Sequence, residues 1–472
     1  MTRSNDRVFK ALARREGITA SKDGPVYRVR LDEATYAPEA EILLPEGFPL
    51  ESKAVKQLAS FAAVRHPAGG EVRQAFATPD FHPGAVVPVG AVVASANLVI
   101  PQAIGVDIQC GMRLHVTDLS VDRFLSGKKR LVELLKGDLL LGTRDLPMQV
   151  SSMKAIFECG CLGWLSDVQE EPLGMLAQSD MHQMEKEIER IYGLGSYDGA
   201  AKWAPNSMTP SDRDIVRDPS LATVGGGNHF VEIQVVDEVI DRKRGFEWGV
   251  KAGQVGFMIH SGSRLAGVAI GNVWIDKAKK EWPEGVSHPP NGIFPLYGQS
   301  AREYLIAMNS ASNYASVNRL LLAELVRLRI REVYGTGVEA PLVFDVPHNV
   351  VLEENGLFVH RKGATPAHAG QPVLIPGSMG HPSFLMVGLG NERYLSSASH
   401  GAGRSKTRYD MRRKEYGDLG LQGVECITLR AERLVQEAPA AYKDIEPVVD
   451  IQVEMGIVAP VARMRPLLTF KA

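Results

Sequence analysis

Residues 83–106 carry no charged side chain and read PGAVVPVGAVVASANLVIPQAIGV. Length alone would let such a run cross a membrane. Its composition argues against that. Prolines, glycines, Asn97 and Gln102 interrupt pairs of valines, which suits short buried strands separated by turns and not one continuous helix. The run therefore predicts core strands, and the rest of the chain has to pack around them.

With 472 residues, 44% of them hydrophobic, the chain can build one large core or two or three domains. Lys plus Arg number 53 against 55 for Asp plus Glu, a formal net charge of −2. No global positive field points to nucleic acid, so any such surface is local. Four cysteines, Cys110, Cys159, Cys161 and Cys426, do not make a disulfide framework at this length. The opening MTRSNDRVFKALARREG lacks the apolar segment of a secretory signal. The expectation is a folded cytoplasmic protein without a membrane span.

An Ala-rich helical pattern covers 53–64, and Gly/Val-rich strands cover 75–116. From 120 to 215 the character turns helical, with KKRLVELLKGDLLL and LAQSDMHQMEKEIERIYGLG, the latter ending at a glycine suited to a helix C-terminus. LATVGGGNHFVEIQVVDEVI and QVGFMIHSGSR read as strands ending in Gly/Ser loops, and YASVNRLLLAELVRLRIREVY as a long helix. Short strands over 341–403 precede a helix over LRAERLVQEAPAAY. No Pro/Gly/Ser-rich linker intervenes. The expected class is α+β, one domain over 1–472 with a helical insertion at about 120–215.

Four of the twelve histidines sit in glycine-flanked or strand-end motifs: His229 in GGGNHFVE, His260 in IHSGSR, His348 in FDVPHNV and His400 in SASHGAGR. One such histidine is more often a hydrogen-bonded structural residue; four together favour a site. GVDIQCGMR adds Asp107 and Cys110 in a loop after the buried strands. Carboxylate, thiolate and neutral imidazole all ligate transition metals, and a thiolate can bridge two ions. No zinc-finger spacing or H-E-x-x-H helix is present, so the ligands would have to converge from distant strands. Ligand softness favours zinc but does not settle the metal. Cys159 and Cys161 read as structural.

GGGNHF, IPGSMG with Ser378, and HGAGR offer unhindered backbone N–H groups for phosphate, though tight turns are the commoner use of glycine. There is no G-x-x-x-x-G-K-[ST] loop and no K-x-D-G nucleophile. Behind His400, Arg404, Lys406, Arg408, Arg412, Arg413 and Lys414 form either a solvated face or a phosphate track for a nucleic-acid strand. The residues alone support a metal-dependent enzyme acting on phosphates.

PDFHPG, GVDIQCGMR, GGGNHFVEI, HSGSR, RKGATPA, IPGSMG, GLGNE, SHGAGR and AYKDIE occur in this order across 79–471. Together they resemble the RtcB family of RNA ligases. The resemblance implies mixed β-sheets around a metal and nucleotide cleft. It also implies an enzyme of RNA repair and tRNA splicing that uses GTP and two manganese ions. Such an enzyme joins a 2′,3′-cyclic phosphate or 3′-phosphate RNA end to a 5′-hydroxyl end.

By the same resemblance His400 attacks the α-phosphate of GTP and carries GMP. Asp107, Cys110, His229, His260 and His348 hold the metals, with Cys110 bridging. Asn228, Glu232, Ser378, Gly401, Gly403, Tyr442 and Lys471 contact the nucleotide, Glu232 accepting from guanine and Tyr442 stacking on it. Arg404, Lys406 and Arg408 hold RNA phosphate, and an archease-like activator is an expected partner. Gln109 stands where the family often has glycine. The alternatives are a two-metal phosphohydrolase, which needs no His400, and a non-catalytic binder of RNA ends, against which the retained nucleophile argues.

Overall fold

The structure is a computed structural model that describes residues 3–413 and 418–472, so Lys414 of the basic segment lies outside the described residues. The uncharged run supplies the strand Val89–Ala96, the short strand Leu98–Val99 and a helical turn Pro101–Ile104. Val89–Ala96 is buried on both faces except at its ends, which is why its sequence is continuously apolar instead of alternating. Among the described residues no helix is long and apolar enough to cross a membrane.

Val89–Ala96 lies inside a seven-stranded sheet, in the order Ile18–Asp23, Val26–Leu31, Ala40–Leu43, Glu71–His82, Val89–Ala96, Leu357–Lys362, Asn349–Glu354. Pairing is antiparallel apart from Ala40–Leu43 with Glu71–His82. One irregularity matters for the site. Ala77 pairs with Ala91 and His82 with Val89, so Thr78, Pro79, Asp80 and Phe81 stand opposite Gly90 alone. A bulge of this kind bends a strand and re-aims its side chains.

The second sheet runs Leu342–Pro347, Gly111–Ser120, Gln254–Ser261, Phe230–Val239, Val458–Lys471, Ser383–Gly388, Pro372–Ile375, with Glu425–Thr428 parallel to Val458–Lys471. Its register is decisive. Gly111 pairs with both Ser261 and Pro347, and Phe230 pairs with His260. Cys110, His229, His260 and His348 therefore arrive together at one end of neighbouring strands.

A helix of 37 residues, Gly298–Tyr334, packs against the strand Gln254–Ser261 and against helices Val121–Lys136, Val150–Val168 and Arg264–Lys280. Every residue from Ser310 to Arg327 is buried, as expected of a helix enclosed on all sides. Its polar residues are paired. Arg319 grips Asp345 through Nη2 at 2.7 Å and donates through Nη1 to the carbonyl oxygens of Gln109 and Ser261 at 2.7 and 3.2 Å. Arg327 binds Glu187 and Glu324, while Arg113 spans Asp345 and Glu187. Three guanidiniums thus face three carboxylates in the interior.

Two expected helices are shorter than their patterns suggest. The run LAQSDMHQMEKEIERIYGLG breaks into 3₁₀ turns around a helix of only Met181–Glu187, capped by Asp180, which accepts from the Gln183 N–H. Gly193 and Leu194, both at positive φ, interrupt the last of these turns, and Glu187 turns inward to Arg113 and Arg327. LRAERLVQEAPAAY is helical over Ala431–Gln436, after which Pro439 starts a separate turn.

His360 accepts the Ile100 N–H through Nε2 at 2.9 Å, with Nδ1 facing the Phe358 carbonyl at 3.0 Å, and burial pushes its pKa down to about 4. The fold holds it neutral, whereas an unfolded histidine gains a proton below pH 6.5. Its contribution is therefore full above pH 6.5 and is lost as pH falls towards 4, by about 3 kcal/mol. Denaturant melts of wild type and His360→Gln across this window should show a flatter pH dependence for the variant. Arg319→Met, which strands the Asp345 carboxylate, should lower stability by about 3–5 kcal/mol in the same assay at neutral pH.

Candidate active site

The strand ends bring the ligand candidates within bonding reach of common points. Cys110 Sγ lies 3.1 Å from Nε2 of both His229 and His260, His229 Nε2 lies 3.1 Å from Asp107, and the Nε2 atoms of His260 and His348 are 3.2 Å apart. Two triads result, Cys110–His260–His348 and Asp107–Cys110–His229, and they share the thiol. The backbone fixes the loop that carries them. The His348 N–H donates to the Cys110 carbonyl at 2.7 Å and the Gln109 N–H to the Asn349 carbonyl at 2.8 Å. Gln109 has φ 55, left-handed backbone that glycine enters without strain.

The donor set fits a cation. Burial, reinforced by neighbouring imidazoles, drives the His260 and His348 pKa values well below their ordinary range, so their nitrogens present lone pairs. Burial and the Asp107 charge push the Cys110 thiol well above its range, so a thiolate here needs a metal ion to hold it. Burial would raise the Asp107 carboxyl, yet His229 and Lys362 keep it low and charged. Lys362, which donates to the Ile104 carbonyl at 2.7 Å, is itself half-buried, and burial lowers its pKa.

The triads open on a cavity of about 570 Å³, a size that suits a small organic ligand. His400 and the Gly401 and Gly403 that follow it lie on its wall. Gly403, at φ 74, has to lack a side chain: a Cβ would stand 2.1 Å from the Asp80 carbonyl oxygen. The His400 ring lies 4.8 Å from that of His348, and its Nδ1 is 2.6 Å from the Asp80 carboxylate. Asp80, raised by the strand bulge, also accepts from the Thr78 hydroxyl at 2.5 Å. Burial alone would lift its pKa, but His400 and Thr78 hold it below the usual value. With Nδ1 committed, the free nitrogen of His400 is Nε2.

Asn228, Glu232 and Lys471 form another part of the wall. Glu232 accepts from Thr469 at 2.5 Å and Gln234 at 2.7 Å, and burial raises its pKa to about 7. Ser378 meets His381 through its hydroxyl at 2.9 Å. Arg404, Lys406, Arg408 and Tyr442 also line the cavity. Two of these bases share one counter-ion: the buried Glu437 carboxylate binds Arg404 at 3.0 Å and Arg408 at 2.7 Å, and accepts from the Tyr442 hydroxyl. Arg404 also stacks 5.1 Å from the Tyr442 ring. The metal, nucleotide and phosphate candidates thus line the cavity except His229, which contacts Asp107 and Cys110, while Arg412 and Arg413 of the basic segment do not line it.

Residues 57–472 match the family described as tRNA-splicing ligase RtcB. The tRNA-splicing ligase RtcB of Archaeoglobus fulgidus is 34% identical over 89% of this chain and 91% of its own length. This chain belongs to the RtcB family. The tRNA-splicing ligase RtcB of Thermococcus kodakarensis is 32% identical, over 84% of this chain and 87% of its own. The RNA-splicing ligase RtcB of Mycobacterium tuberculosis is 31% identical, over 84% and 96%. Within this RtcB family site, Asp80, Glu437 and Lys362 were given no role from sequence. PDFHPG and RKGATPA contain two of them, but their partners are remote in the chain. Glu437, in QEAP, carries no spacing signal at all.

The shared thiol makes a stoichiometric prediction. Equilibrium dialysis against manganese should show Cys110→Ala losing two ions per chain, and His348→Ala or His229→Ala losing one each. Equal losses from all three variants would contradict the shared ligand.

Proposed function

We propose that this RtcB family member is a GTP- and manganese-dependent RNA ligase. It joins 2′,3′-cyclic phosphate or 3′-phosphate ends to 5′-hydroxyl ends through a histidine–GMP intermediate, in RNA splicing and repair. The observation that carries this reading is the 2.6 Å contact between Asp80 and His400 Nδ1 beside the two triads. A hydrolase needs no second residue to aim this imidazole.

His400 Nε2 attacks the α-phosphorus of GTP, forming an N–P bond as pyrophosphate leaves. Asp80 keeps the Nδ1 proton in place and balances the positive charge that the ring acquires. Asp107, Cys110, His229, His260 and His348 would hold manganese, which would supply positive charge to the triphosphate and to the departing pyrophosphate. A 3′-phosphate oxygen of the RNA, first freed by hydrolysis if the end is cyclic, then attacks the same phosphorus, and the N–P bond breaks. The 5′-hydroxyl attacks the activated 3′-phosphorus, its proton is lost to solvent, and GMP leaves. Glu232 suits the guanine edge, whose N–H groups it accepts; Tyr442 offers a ring face; Arg404, Lys406 and Arg408 offer positive charge to phosphate.

Incubation with manganese and α-labelled GTP should leave acid-labile label on the wild-type protein and none on His400→Ala. Asp80→Asn should slow labelling about a hundredfold or more. A metal-loaded wild type that takes no label would favour the two-metal phosphohydrolase. Glu232 has to be ionised to accept two N–H groups, and its pKa is about 7. GTP affinity should therefore weaken as pH falls below 7, up to about tenfold per unit. Titrations of Glu232→Gln should lose both that slope and the preference for GTP over ATP.

A further inference from the structure

Asp80 orients a second imidazole. While its carboxylate holds His400, its main-chain carbonyl oxygen lies 2.8 Å from Nδ1 of His82. A carbonyl only accepts, so Nδ1 bears the proton and the His82 lone pair stays on Nε2. No described residue hydrogen-bonds to Nε2, and His82 lines the same cavity as His400. The transfer chemistry above leaves this nitrogen unused.

The segment around His82 is held from several sides. The Gln57 side chain donates to the Gly84 carbonyl at 2.9 Å and accepts the Gly84 N–H at 3.1 Å. Lys443 donates to the Phe81 carbonyl at 2.5 Å and reaches that of Pro79 at 3.4 Å, bracketing Asp80. Gly84 sits in a turn so tight that a Cβ would stand 2.0 Å from the Val87 carbonyl oxygen. An acceptor fixed this firmly against a cavity is organised in advance for a donor.

The character of that donor follows from the ring. Burial, with the nearby Lys443 and His400, pushes the His82 pKa down to about 4. A neutral Nε2 lone pair repels phosphate oxygens and accepts from a hydroxyl. Guanine is served by Glu232, a different part of the wall. In the reaction sequence above the 5′-hydroxyl reacts only in the final step, at the 3′-phosphorus. The hydroxyl that accompanies the attacking 3′-phosphate is the 2′-hydroxyl of the same ribose, one carbon away.

We propose that Nε2 of His82 accepts a hydrogen bond from the terminal 2′-hydroxyl of the RNA strand bearing the 3′-phosphate, so that this wall is a ribose subsite. The proposal rests on the ligase reading and adds a residue that reads the sugar. One neutral hydrogen bond in a cavity corresponds to about a five- to tenfold preference.

The experiment compares two strands identical except for 2′-OH or 2′-H at the 3′-phosphate terminus. Transfer of GMP to each is measured for wild type, His82→Ala and His82→Phe, starting from GMP-loaded protein. The wild type should prefer the ribose end about five- to tenfold, and both variants should bring the ratio close to one. A ratio within one preparation does not depend on the fraction folded. A wild-type ratio near one, or a wild-type preference that survives both substitutions, overturns the subsite. Failure of the wild type to load GMP would instead overturn the ligase reading itself.

Discussion

The guanidinium of Arg319 sits where three separate segments have to meet. It grips Asp345, three residues before His348, and its Nη1 donates to the carbonyls of Gln109 and Ser261, the neighbours of Cys110 and His260. One side chain on a buried helix thereby sets the spacing of three ligand candidates that are far apart in sequence. Its charge is tolerated only because Asp345 answers it, and Asp345 is in turn shared with Arg113. An ion network without water access is costly to assemble and more costly to leave half-made. Such a network suits a site whose donor atoms have to stay about 3 Å apart before anything binds between them.

The two sheets divide the chemistry. Strand ends of one sheet carry the metal-ligand candidates; a bulge in the other lifts Asp80 to His400. The His400 loop approaches the bulged strand closely enough to dictate residue type at Gly403, whose missing side chain lets the loop lie against the Asp80 carbonyl. His400 and the metal-ligand candidates are thus carried by different parts of the fold and meet at the His348–His400 ring contact.

Much of this was legible in the chain. The buried character of 83–106 followed from valines broken by prolines, and the glycine-flanked histidines pointed to convergence before any geometry was known. What escaped depended on distance or on tertiary override. Asp80 looks like an ordinary turn residue until its partner, 320 positions later, is beside it. The helical pattern through Met181–Glu187 promised a longer helix, but Glu187 is drawn to two buried arginines, and that attraction outweighs local propensity. Arg404 and Arg408 read as part of a solvated face or a phosphate track, whereas a single carboxylate outside that run pairs with them both.

That carboxylate, Glu437, gives the cationic wall a threshold. An anion approaching Arg404 meets a guanidinium already satisfied by the Lys406 and Gln436 carbonyls and by Glu437, and to engage it fully has to compete with a buried carboxylate that also receives the Tyr442 hydroxyl, whereas Arg408 gives that carboxylate only its Nε. A singly charged anion gains little by such an exchange; a polyphosphate, dense in charge and able to bind both arginines at once, gains most. The same displacement would release the Tyr442 hydroxyl and the arginine stacked on its ring. Occupancy by such an anion would then change the shape of the wall as well as its charge, because one buried carboxylate ties Arg404, Arg408 and Tyr442 together.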